Sequence, residues 1–148
     1  MRSLAPIVFF AYNRPEHTRL VLESLRNNRL ADESKLFIYI DGPKPGASEE
    51  TLAAIAEVKK VVREKQWCKD VNIIEATENK GLIKSNAEGV TRMVNEFGRV
   101  IAMEDDGLLS PGFLTYMNDA LDFYENNPKV MHIAAYRRPE FDAVEVKE

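Results

Sequence analysis

Three consecutive acids, Glu104-Asp105-Asp106, follow directly on the apolar run Val100–Met103, and a short Gly-containing link then leads to Ser110-Pro111. Along an extended chain side chains alternate, so Glu104 and Asp106 point to one side and Asp105 to the other unless the chain bends. Two carboxylates about 4 Å apart repel by about 4 kcal/mol at an effective dielectric of 20. A divalent cation removes that penalty, and carboxylate oxygens suit Mg²⁺ or Mn²⁺. One or two protein carboxylates plus phosphate oxygens is the usual setting for Mg²⁺. The plain alternative is a solvated acidic turn. An apolar strand leading in and a proline-started helix leading out hold these acids at a rim, which favours the metal.

Other chemistry-bearing residues sit at comparable points. Ala11-Tyr12-Asn13-Arg14 follows one apolar run, Asp41-Gly42 follows a second, and Asn79-Lys80-Gly81, with Lys84 a little further on, follows a third. Arg14 and Lys84 are cations that could face phosphate; Asp41 is an acid facing the same rim. Each has a simpler reading. Arg14 could pair with a helix acid such as Glu16 or Glu49, Lys84 could be a solvated helix residue, and Asp41 could be a turn acid. His17 and His132 have no partner at metal-ligand spacing and no nucleophile context, so both read as structural. Cys68, beside Trp67, reads as a half-buried structural residue.

The elements that must position these residues follow from the hydrophobic pattern. Pro6–Tyr12, Lys35–Gly42, Val71–Thr77, Arg99–Asp105 and Lys129–Tyr136 are short apolar runs, expected to be five strands. Between them lie four stretches with helical spacing. Pro15 suits a first helical turn, with Val21, Leu22 and Leu25 as the apolar stripe. Ser48-Glu49-Glu50 supplies a cap and first-turn acids for a helix burying Leu52, Ile55, Val58 and Val62. Ile83, Ala87, Val90 and Val94 form a third stripe. Pro111 begins a fourth helix, with Phe113, Leu114, Met117, Leu121 and Tyr124 inward. Strands alternating with helices predict an α/β fold, a mostly parallel sheet with helices on both faces, joined by right-handed crossovers. Ligands bind such sheets beyond the carboxyl ends of the strands, where the residues above stand.

The chain has 148 residues, which favours a single domain over 1–148. A domain of this size buries enough surface to need no disulfide or structural metal. One cysteine permits no intrachain disulfide and fits a reducing, cytoplasmic setting. A net charge of −4 without a basic run argues against nucleic acid as a partner. The N-terminal apolar run is too short for a membrane span.

With these residues in view, the sequence resembles a glycosyltransferase of the GT-A fold, a Rossmann-like nucleotide-sugar-binding architecture. "FAYNRP" resembles the family's first-strand ending, "IYIDG" its second-strand Asp, and "ENKGLIKSNAEGV" the Asn-x-Gly turn and helix of bacterial members. "VIAMEDDGLLSPGFLTYM" is similar to the Glu-Asp-Asp metal motif and following Pro-x-Phe helix of the N-acetylglucosaminyltransferase I family; Gly107 departs from it where an apolar residue is usual.

The resemblance implies residue roles. Ala11, Asn13 and Arg14 would line the nucleotide, Arg14 near the diphosphate. Asp41 would face the base or ribose, and Lys84 the nucleotide or diphosphate. Glu104 and Asp105 would touch ribose and sugar, and Asp106 would be the protein ligand of Mn²⁺ or Mg²⁺. The implied partners are a nucleotide-diphosphate sugar donor and a glycan or other hydroxyl acceptor, with transfer by inversion. Residues 1–106 would bind the donor and 107–148 would begin the acceptor side. The general base is expected beyond Glu148, since no motif marks Glu140 or Asp142 as one. A non-catalytic binding module of the same fold is the first rival. A sugar nucleotidyltransferase is the second, although "AYNRPEHT" lacks the Gly-rich signature that activity wants. A haloacid-dehalogenase-type phosphotransferase ranks lower, because it wants Asp-x-Asp after the first strand.

Overall fold

The computed structural model describes residues 3–136; Glu140 and Asp142, with the rest of 137–148, lie outside the described residues. Four strands, β1 (Ile7–Ala11), β2 (Lys35–Ile40), β3 (Asp70–Glu75) and β4 (Ile101–Glu104), alternate with four helices: α1 (Pro15–Arg26), α2 (Glu49–Val61), α3 (Leu82–Phe97) and α4 (Phe113–Tyr124). The sheet is wholly parallel, in the order β3-β2-β1-β4. The chain steps outward from β1 to β3, then returns to add β4 on the other side of β1. Right-handed crossovers require that such a reversal move the connecting helix to the opposite face. The packing agrees.

One face carries Ile7, Phe9, Ala11, Leu36, Ile38 and Ile40, which pack with Val21, Leu22 and Leu25 of α1, Val58 of α2, and Leu114 and Met117 of α4. The other face carries Val8 and Phe10, packed with Met93, Val90 and Phe97 of α3. All five residues of β1 are buried, as a strand covered on both sides requires. Helix starts follow their local chemistry. Pro15 opens α1, and the Ser48 hydroxyl accepts the Thr51 N–H at 3.1 Å to cap α2. The α4 start is anchored by buried Asn28 at the end of α1. Its Oδ1 accepts the Leu114 N–H at 2.9 Å, and its Nδ2 donates to Ser110 O at 2.8 Å. That link fixes the route the chain takes after the acid triplet.

Two expectations need correction. Lys129–Tyr136 is not a strand. It has the composition of one but no ladder partner among the described residues, and Met131 and Tyr136 stand in solvent; only Ile133 packs on the core. Of the apolar stripe expected on α3, Val90 packs on the sheet but the other three residues do not face inward. Ile83 is 87% exposed, Ala87 is exposed and Val94 is 41% exposed. The inward face runs instead through Asn86, Gly89, Met93 and Phe97. Gly89 is the reason: α3 lies so close to the sheet that a Cβ there would meet the Phe10 ring at 2.8 Å. Smaller departures are Leu52 and Tyr124, which are part-exposed, and α4, which begins at Phe113 after a turn at Pro111.

Candidate functional site

Strand order reverses between β1 and β4, and at such a switch point the segments leaving the two strand ends part to leave a crevice. A cleft of about 360 Å³ opens there, within the range of small-molecule sites. Ala11, Asn13 and Arg14 line it from the β1 end, Asp41 from the β2 end, and Glu104, Asp105 and Asp106 from the β4 end. Seven of the eight residues expected from the sequence therefore meet in one place. Lys84 does not: it points outward along α3, its Nζ 3.9 Å from Glu88 Oε1, and is absent from the cleft wall.

The three acids are separated by their surroundings. Glu104 lies in register with Phe10 on the α3 face, and its Oε1 accepts the Asn86 side-chain N–H at 2.7 Å. Asp105, one residue on, lies in the turn after β4 and pairs with Arg14 at the start of α1 rather than with α3. It is buried, and both its oxygens are engaged by the Arg14 guanidinium, with Arg14 Nε 3.3 Å from Oδ2 and an NH2 contact to Oδ1. Such a paired contact is the geometry a guanidinium fork provides. Glu16, a partner considered for Arg14 from the sequence, pairs instead with Arg19 at 2.6 Å. Asp106 follows in the turn after β4, exposed and without a side-chain partner among the described residues.

Further residues of the walls include Lys44, from the loop after β2, Asn79, just before α3, and Asn86, in its second turn. Lys44 stands on the cleft where Lys84 was expected. Asn79 donates to Asp41 Oδ2 at 3.1 Å and to Gly42 O at 2.8 Å. Asn86 is the partner of Glu104. No motif marks Lys44 or Asn86; the signal for Asn86 is its place three residues before Gly89 on the inward stripe, which requires knowing that the stripe runs through glycine. Among the described residues no three His, Cys, Asp or Glu side chains gather as a metal-binding group. Of the three acids, Asp106 is the one whose carboxylate has no side-chain partner among the described residues. Cys68 is buried on the far side of the core, and burial pushes its thiol up to about 12; it takes no part in the cleft.

No protein-family model matches the sequence, and a search of curated proteins finds no match. Solved structures do match. S. aureus TarS superposes with a TM-score of 0.52 at 12% identity, over 83% of this chain and 20% of that one. The form TarS 1-349 gives the same TM-score and identity, with 33% of its chain covered. This chain therefore spans a fifth to a third of the length of the TarS chains it matches. At such identity the likeness shows the fold alone, and that fold is the α/β, GT-A type expected from the sequence. No helix among the described residues is long and apolar enough to cross a membrane.

Proposed function

We propose that this chain is the donor-binding part of a metal-dependent glycosyltransferase, which takes a nucleotide-diphosphate sugar and passes the sugar to an acceptor hydroxyl. The observation that supports it best is the division of labour among the three acids. Glu104 is held by Asn86 and Asp105 by Arg14, while Asp106 lines the cleft with no side-chain partner among the described residues. A lone carboxylate beside a cleft of this size is the arrangement a phosphate-bound divalent cation needs. Asp106 would hold Mn²⁺ or Mg²⁺; when bound, the ion neutralises the departing nucleoside diphosphate.

The chain's own residues supply the rest. The Ala11–Arg14 turn lines the nucleotide. Pairing with Arg14 removes one charge from the acid cluster, so Asp105 does not compete with Asp106 for the ion. The outward N–H groups of Arg14, with Lys44 on another wall, offer donors to phosphate oxygens. Glu104, steadied by Asn86, is an acceptor for ribose or sugar hydroxyls. A thermal-shift panel of UDP-, GDP- and dTDP-sugars with and without Mn²⁺ tests the reading. A ligand that binds only the folded state raises apparent stability by about 2.7 kcal/mol at a hundredfold excess over its Kd. A metal-dependent shift with at least one nucleotide sugar is the expected result. No shift with any would remove the reading.

A further inference from the structure

Asp41 is 8% exposed, and its two oxygens accept four hydrogen bonds. Oδ1 takes the backbone N–H of Gly42 at 2.9 Å and of Lys80 at 2.8 Å. Oδ2 takes the backbone N–H of Gly81 at 3.0 Å and the Asn79 side-chain N–H at 3.1 Å. A carboxylate has about four lone-pair sites, so protein donors fill its capacity. Three of the four donors come from the turn that joins β3 to α3. The Asn79 amide also reaches Gly42 O at 2.8 Å, so the turn is tied to β2 twice. It is seated against Gly42 so closely that a Cβ there would stand 2.5 Å from the Glu78 carbonyl carbon. Gly81 is the residue from which α3 starts. Fixing it fixes Leu82, Ser85 and Asn86, which form one wall of the cleft.

We propose that Asp41 is a positioning residue: it holds the 78–81 turn so that the first turns of α3 form the cleft wall, and it makes no contact with the nucleotide. Burial alone would suit a base- or ribose-binding acid equally well. Saturation by protein donors separates the two, because a ligand hydroxyl or N–H would have to displace a charge-assisted bond that the turn already makes. The inference rests on the donor-binding reading for its binding arm only; the clamp itself can be tested without ligand.

The experiment compares the full chain with Asp41→Asn and Asn79→Ala. Amide hydrogen exchange at Gly42, Lys80 and Gly81 is measured without ligand, and the affinity per folded molecule for UDP and for GDP is measured with Mn²⁺. In Asp41→Asn an NH₂ group must face donors, so exchange at Lys80 and Gly81 should rise about tenfold or more while the rest of the sheet is unchanged. UDP and GDP affinities should fall by the same factor. Asn79→Ala should shift both in the same direction by less, and it serves as the deciding variant if Asp41→Asn does not fold. Unchanged exchange at Lys80 and Gly81 would overturn the clamp. Lost binding at unchanged exchange, or a changed UDP-to-GDP ratio, would make Asp41 a ligand contact. Faster exchange at unchanged affinity would detach the turn from the cleft. If the wild-type chain binds neither nucleotide, the functional reading fails while the exchange arm still tests the clamp.

Discussion

Arg14 and Asp105 meet at the point where the strand order reverses, joining the end of β1 to the end of β4 across 91 residues of sequence. The carboxylate is buried and the guanidinium is half in solvent, their side chains 7% and 46% exposed. The pair closes the base of the cleft and spends one of its three acids.

Replacing Arg14 exposes that dependence. Arg14→Ala leaves the Asp105 carboxylate buried without its partner, a loss of about 1–3 kcal/mol. The lower part of that range is expected, because solvent reaches the Arg14 side of the pair. Arg14→Lys should restore only part, since an ammonium cannot reproduce a two-pronged contact. Urea denaturation of the three proteins reads this directly, and equal midpoints would show that the pair contributes nothing.

Gly42 should tolerate no side chain. The Cβ of Gly42→Ala would lie within 2.8 Å of three backbone atoms of Glu78, and backbone cannot swing aside as a flexible side chain can. Forcing the turn away costs about 1–3 kcal/mol and shifts the wall built by α3. A thermal melt should show the loss, and UDP affinity should fall with it; a variant as stable as wild type would mean that the turn is not seated as described.

Cys68 gives a pH prediction. Burial holds its thiol protonated, at about 12 against the ordinary 9.0. The unfolded chain releases this proton first, so between those values it binds fewer protons than the folded chain. Stability should therefore fall as pH rises past about 9. At about pH 8 the folded protein should resist a thiol reagent that the denatured protein consumes fully. Rapid labelling of the folded chain would contradict the burial.

Much of this was legible from residue patterns. The unbroken apolar run of β1 announced a strand covered on both faces, and Pro15 and Ser48 marked helix starts that the structure retains. Because parallel strands all end at one rim, reading their last residues gathered Ala11, Asn13, Arg14, Asp41 and the acid triplet before any contact was known. Pairings between loops were not legible. Nothing in local sequence says that Asp41 accepts from Lys80 and Gly81, or that Arg14 chooses Asp105 over Glu16. The fifth strand failed for a related reason: Lys129–Tyr136 has β-forming residues, but a strand exists only with a partner. The α3 stripe failed because periodicity counts side chains, whereas Gly89 faces inward through having none.

The central claim is that Asp106 carries a metal-dependent diphosphate site. Isothermal calorimetry of UDP binding, with and without Mn²⁺, to the wild-type chain and to Asp106→Ala tests it most directly. Wild type should bind UDP only with the metal. Asp106→Ala should lose at least about tenfold in affinity, the equivalent of about 1.4 kcal/mol, while keeping the wild-type urea midpoint, since Asp106 has no side-chain partner among the described residues to lose. Metal-dependent binding of wild-type strength in Asp106→Ala, or UDP binding indifferent to the metal, would contradict the account.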